Sequence, residues 1–212
     1  MANIIFDWDG TIAKPDVAQE ASERRFKTLG LNVDQEWLRH ALKTNDHYAV
    51  NKRLISEYTG IIDDDELTTI MTDIFRYHYT AVIHERKNKA LYPGMMQIIE
   101  KLSKIHSLVI ASTLRQDLID YSLKNLDMNK YFKKNFANTP DLKYSKQDLV
   151  KMAAKHFGKA DFMVGNKEED LLAGNLVGAK SIYVTWGATN ADHKDKADFV
   201  ANAPEELLNI IK

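Results

Sequence analysis

Residues 3–11 read Asn3-Ile4-Ile5-Phe6-Asp7-Trp8-Asp9-Gly10-Thr11. A short apolar run that stops at a charged, glycine-containing turn suits a buried strand better than a helix. If the extended conformation persists through the turn, the side-chain period of two puts Asp7 and Asp9 on one side and Trp8 on the other. Two carboxylates sharing one site repel, so the arrangement is costly unless a cation sits between them or one keeps its proton. Either outcome is chemically useful. Mg²⁺ takes carboxylate and carbonyl oxygens, and a retained proton can be handed to a leaving group. The same letters allow a second reading, because Asp-Gly between apolar runs is also a hairpin-turn signal.

Beyond Lys14 the pattern changes. Apolar residues recur at three- and four-residue spacing over 16–29, 35–43, 46–59 and 64–82, separated by Gly30, Asp34, Asn45 and Gly60, which predicts four consecutive helices. A polar stretch at 84–89 follows, and Tyr92-Pro93-Gly94 opens a helix to about Lys104. From there short apolar runs alternate with helical patterns: 108–112 (LVIAS), a helix over 115–126, NFA near 135, a helix over 146–157, 161–165 (DFMVG), a helix over 168–177, 181–186 (SIYVTW) and a last helix after Pro204. Strands alternating with helices imply right-handed crossovers and a mostly parallel sheet covered on both faces. The expected fold class is therefore α/β, a Rossmann-like doubly wound parallel sheet formed by residues 1–14 and 85–212. An all-helical insertion at 15–84 interrupts it after the first strand. In such sheets ligands bind beyond the carboxyl ends of the strands.

The 212 residues carry 29 Lys+Arg against 30 Asp+Glu, a formal net charge of −1, with 44% hydrophobic residues. That suits one large domain or one domain with an insertion. It argues against a protein built around a nucleic-acid backbone, which needs a dense basic face. With no cysteine there is no disulfide, thiolate nucleophile or sulfur-bound metal, so the chemistry falls to oxygen and nitrogen groups. No stretch approaches the roughly 18 apolar residues of a membrane span, and the amino terminus lacks a cationic segment followed by a long apolar run. A cytoplasmic location without a membrane partner is expected. The seven histidines show no metal-site spacing, and no glycine-rich nucleotide loop is present.

The other strand ends each carry two readings. Ser112-Thr113 before a helix is an anion site or an N-cap. Lys143, in Leu142-Lys143-Tyr144-Ser145-Lys146, is a phosphoryl-neutralising ammonium or one more surface lysine. In Val164-Gly165-Asn166-Lys167-Glu168-Glu169-Asp170 the acids complete a metal site facing Asp7, or Asn166 and Glu169 form a capping box.

Taken together, a DxDGT motif, a later Ser/Thr, a Lys and a GDxxxD-type loop, in this order, resemble the haloacid dehalogenase-like hydrolase superfamily. The likeness spans the whole chain, since the helical insertion is similar to the cap of its phosphoglycolate phosphatase-like branch. What the resemblance implies is a Mg²⁺-dependent phosphatase hydrolysing a small phosphate monoester. Asp7 would be the nucleophile that forms an aspartyl-phosphate. Asp9 would protonate the leaving alcohol and then activate water. Gly10, Thr11, Ser112, Thr113 and Lys143 would hold the phosphoryl group, with Lys146 as the alternative lysine, and Asp7, Asp9, Asn166 and Asp170 would form the Mg²⁺ site.

Two departures stand out. The position of Asn166 is usually an Asp in the family, so Mg²⁺ binding weaker by about 10- to 100-fold is expected. The lysine segment lacks the usual proline. In this branch cap residues choose the leaving group, which directs attention to Arg24, His47, Lys52 and Arg53, and next to Arg25, Tyr48 and Asn51. The partner expected is a small phosphorylated metabolite, acted on by a monomer or homodimer. Two other functions compete with the phosphatase: a phosphomutase of the same family, and a non-catalytic binding or regulatory protein whose metal site Asn166 has weakened.

Overall fold

The computed structural model describes residues 1–34, 36–37, 47–62, 64–139, 143–187 and 193–212, with the side chains of 47–50 outside that description. The expected helix over 35–43 lies outside it as well, except for helical Glu36 and Trp37. In chain order the elements are β1 (Asn3–Phe6), α1 (Asp16–Thr28), α2 (His47–Thr59), α3 (Asp65–Arg86), α4 (Met95–Ser103), β2 (Ser107–Arg115) and α5 (Gln116–Asn125). There follow β3 (Phe132–Asn138), α6 (Lys146–Phe157), β4 (Phe162–Gly165), α7 (Glu168–Leu176), β5 (Lys180–Val184), β6 (Phe199–Ala201) and α8 (Leu207–Ile210). The chain divides into two compact units, Met1–Pro15 with Lys87–Lys212, and Asp16–Arg86.

The first unit is a six-stranded sheet in the order β3-β2-β1-β4-β5-β6, and every pairing is parallel. This is the doubly wound arrangement, whose strand order reverses beside β1. Ile4, Ile5 and Phe6 are all fully buried, as a central strand with both faces covered requires. On one face Ile5, Val109 and Met163 pack with Leu149, Val150 and Ala153 of α6 and Ala173 of α7. The helix α4 buries Met95, Ile98, Ile99 and Leu102, a stripe at three- and four-residue spacing.

Three elements differ from the sequence-based expectation. β2 continues to Arg115, past the expected end at 112, because its pairing with β3 steps from Ser112↔Ala137 to Arg115↔Asn138 and leaves Thr113 and Leu114 as an irregularity. β6 has only three residues and was too short to register as a pattern. The helix expected after Pro204 is a 3₁₀ turn, Pro204–Glu206, followed by the single turn of α8.

The second unit is helical among its described residues. Its core contains Phe26, Val33, Leu54, Ile55 and Met71. The polar residues singled out on these helices separate into two groups. Arg24 pairs with Glu20 and Glu85, each at 2.6 Å, Lys52 with Asp65 at 2.7 Å, and Arg53 with Glu57 at 2.6 Å. Arg25 and Asn51 are buried and hydrogen-bonded to each other. The side chains of His47 and Tyr48 lie outside the described residues.

Candidate active site

β1 lies between β2 and β4, where the strand order reverses, and Asp7 is the first residue beyond it. The Asp7 amide still donates to the Val164 carbonyl at 2.9 Å, so the extended conformation carries past the strand end. β1 has only parallel partners, which removes the hairpin reading of Asp-Gly. The chain then turns tightly, with the Trp8 carbonyl accepting from the amides of Ile12 and Ala13, both at 2.9 Å. Gly10 adopts φ +82°, and a Cβ there would stand 2.3 Å from Asn166 Nδ2. Only glycine meets both conditions.

Asn166 ties this turn to the end of β5. Its Oδ1 accepts from the Thr11 hydroxyl at 3.2 Å, and its Nδ2 donates to the Gly187 carbonyl at 2.8 Å. Trp186 Nε1 adds a donation to the Thr11 carbonyl at 3.1 Å. The acid that caps α7 is Asp170, not Glu169 as the capping-box reading had it. Asp170 Oδ2 accepts from the amides of Asn166 at 3.1 Å and Lys167 at 3.0 Å. A Cβ at Gly165 would lie 2.3 Å from Asp170 Cβ, so the glycine lets this acid sit against the strand end.

The lysine that joins the carboxylates is Lys146. Its ammonium contacts Asp7 Oδ1, stands 3.0 Å from Asp170 Oδ1 and donates to the Ala111 carbonyl at 3.0 Å. The ammonium thus donates to Asp7 and Ala111 and forms an ion pair with Asp170, and Lys146, Asp7 and Asp170 are all buried. Lys143 is exposed, with its ammonium 5.2 Å from the Tyr144 ring centroid. The choice follows from local geometry. Ser145 caps α6 and exchanges hydrogen bonds with Asp148, which makes Lys146 the first helical residue. Asn138 grips the preceding loop by donating to the Tyr144 carbonyl at 2.8 Å and accepting from the Tyr144 amide at 3.0 Å. Asn138 was missed in the sequence, where it is one polar letter beyond a strand; only its burial sets it apart.

Ser112 is buried at the end of the regular part of β2, and its Oγ accepts from the Leu114 amide at 3.2 Å across the irregularity. The hydroxyl proton remains available to a ligand oxygen. Thr113 is half-buried, and its carbonyl accepts from Asn138 Nδ2 at 3.4 Å.

The electrostatics distinguish the two acids of the turn. Burial would lower the Lys146 pKa, but the charges of Asp170 and Asp7 outweigh it and raise the value, so the side chain is an ammonium. Burial raises the Asp7 carboxyl, opposed by the adjacent ammonium. Asp9 has no such partner among the described residues. Burial, and next the charge of Asp7, push it up to about 7, and its buried Oδ1 has no hydrogen bond among the described residues. The oxygens of Asp7, the Asp9 main chain, Asn166 and Asp170 are hard donors of the kind Mg²⁺ prefers, and an unpartnered buried carboxyl oxygen suits a nearby cation. The donor types fit. Asn166 contributes no charge, however, and among the described residues no three acidic or histidine side chains form a metal-binding group.

The family model for haloacid dehalogenase-like hydrolases matches residues 4–184. The chain belongs to this family. The hydrolase also superposes on solved structures along its whole length. A haloacid dehalogenase-like family hydrolase from Streptococcus pneumoniae is 22% identical, with TM-score 0.78 over 100% of this chain and 99% of that one. A protein from Haemophilus somnus described as a predicted phosphoglycolate phosphatase is 17% identical, with TM-score 0.80 over 100% and 98%. The HAD-hydrolase YfnB from Bacillus subtilis, solved bound to magnesium, is 15% identical, with TM-score 0.77 over 99% and 98%. At these identities the likeness speaks to the fold. No curated protein matches the sequence. Among the described residues of the hydrolase, no helix is long and apolar enough to cross a membrane.

Proposed function

We propose that this hydrolase is a Mg²⁺-dependent phosphatase acting on small phosphate monoesters through an aspartyl-phosphate. The observation that carries the reading is the unequal treatment of two acids on one turn: Asp7 is paired with a buried ammonium, whereas Asp9 is half-buried, its inward Oδ1 has no hydrogen bond among the described residues, and its carboxyl is pushed up to about 7. Carboxyls driven apart in this way divide into a nucleophile and an acid/base. An Asp7 oxygen attacks phosphorus while the ester oxygen departs with the Asp9 proton. Asp9, now a carboxylate, takes a proton from water, whose oxygen attacks the phosphorus, releases inorganic phosphate and regenerates Asp7. Lys146 holds Asp7 in position and offsets charge on the phosphoryl oxygens, toward which the Ser112 hydroxyl donates. Mg²⁺, when held by Asp7, the Asp9 carbonyl and the Asn166 amide oxygen, supplies further neutralisation of the phosphoryl charge. Asp170 acts through its hold on Lys146 and on the start of α7.

Asn166 favours a second reading, a non-catalytic binding protein, because its amide is already engaged by Thr11 and Gly187. Phosphate release from a panel of small monoesters, with and without Mg²⁺, separates the two. The phosphatase shows Mg²⁺-dependent turnover that Asp7→Asn abolishes, with a lower Mg²⁺ requirement in Asn166→Asp. Absence of turnover on every ester, in wild type and in Asn166→Asp alike, selects the binding protein. Isomerisation of a sugar phosphate without phosphate release would instead indicate a phosphomutase.

A further inference from the structure

The helical unit holds a second buried cation in a different setting. Arg25 on α1 is 4% exposed. Its Nη1 donates to Asn51 Oδ1 at 2.9 Å, and Asn51 Nδ2 in turn donates to Thr72 Oγ1 at 3.1 Å. Asn51 and Thr72 are also buried, at 6% and 7% exposed. The guanidinium carbon lies 4.6 Å from the Phe26 ring centroid and 5.5 Å from that of Phe75, so aromatic walls flank the charge. Arg25 Nε is buried and makes no hydrogen bond among the described residues. The buried hydroxyl of Ser22, three residues earlier on the same helical face, is likewise without a partner among them. No described carboxylate pairs with Arg25. Burial alone lowers its pKa, to about 10, which leaves it protonated at neutral pH.

A buried charge without a countercharge is costly, and removal of its partner is strongly destabilising in proteins. Asn51 is neutral and satisfies one nitrogen only. The edge that Nε shares with Nη2 is the one that takes two oxygens of a carboxylate or phosphate in parallel. We infer that Arg25, oriented by the Asn51–Thr72 pair and accompanied by the Ser22 hydroxyl, anchors a pocket in the helical unit for a small oxyanion, a carboxylate or phosphate group. The pocket is independent of the strand-end chemistry. Its occupant is a free anion of this class.

The Nε–H resonance of Arg25 in the full-length protein tests the inference, with the signal identified by its loss in Arg25→Lys. Titration with inorganic phosphate at constant ionic strength should move it saturably, with half-saturation at about 1 mM or a few-fold above, and the movement should persist in Lys146→Met. No movement in the wild type overturns the pocket, as does movement lost in a folded Lys146→Met, which would report the strand-end site. Arg25→Met supplies a readout that does not depend on that second variant. It should stay folded without phosphate and show a smaller phosphate-induced rise in Tm than the wild type. A loss of more than about 10 °C without added anion would mean that the chain itself satisfies the guanidinium, and would overturn the inference.

Discussion

The two units each bury a cation, and the two cations are treated in opposite ways. Lys146 touches Asp7 and Asp170 and donates to a main-chain carbonyl, and its pKa is raised. Arg25 has one neutral amide and two aromatic rings, and its pKa falls to about 10. Burial desolvates both, so the difference comes from the countercharge. Where the chain supplies carboxylates, the cation completes an arrangement that exists before any ligand arrives. Where it supplies none among the described residues, the cation is the anchor of the anion pocket inferred above.

Substitutions at the two cations and their neighbours can break this contrast. The largest effect is expected for Asp7→Asn, which removes both the nucleophile and one of the two charges on Lys146; kcat should fall on the order of 10⁴-fold or more in a phosphate-release assay. Lys146→Met leaves two buried carboxyls facing one another and should cost about 3–5 kcal/mol in urea denaturation. Arg25→Met removes an unpaired charge and should be near neutral under the same conditions, so equal losses at the two positions would abolish the distinction. Asn166→Asp adds a negative charge against the Gly10–Thr11 turn but turns a donor to Gly187 into an acceptor. Mg²⁺ half-saturation should fall by about 10- to 100-fold, and metal-free stability by about 1–3 kcal/mol.

Asp9 sharpens the contrast by pH. Its folded value of about 7 lies above the ordinary value of 3.8, so the proton is bound more tightly in the fold. Its contribution to stability is complete below the unfolded value and is lost as pH rises through about 7. As a general acid it must also be protonated, so kcat/KM should fall about tenfold per pH unit above that value. A profile flat to pH 9 would remove Asp9 from that role. The smallest effect belongs to Lys143→Met, expected within about 0.5 kcal/mol of wild type and with little change in turnover.

Much of the α/β architecture was legible from local patterns. The run at 3–6 and the later apolar runs announced strands because they are short, apolar and bounded by turn residues, and a parallel doubly wound sheet accommodates all of them. β6 and the far end of β2 were not legible. One is three residues long, and the other exists because β3 pairs with it across an irregularity. At the strand ends Asp7, Asp9, Ser112 and Asp170 could be nominated from residue type and place in the chain. The choice between Lys143 and Lys146 could not, because both precede or open the same helix. Among the helical residues the pattern did not separate those that pair with neighbouring acids, Arg24, Lys52 and Arg53, from those that turn inward, Arg25 and Asn51, because that depends on packing.

The sequence by itself determined that strands alternate with helices around an inserted helical segment, and that acids, a hydroxyl and lysines follow the strands in a particular order. Periodicity and turn chemistry are local, and local interactions write them directly into the chain. Only the tertiary structure decided which lysine meets Asp7, that Asn166 is drawn to Thr11 and Gly187, and that Arg25 is buried without an acid among the described residues. Those outcomes depend on burial and on partners far apart along the chain, and the energy of a charge is set by what surrounds it.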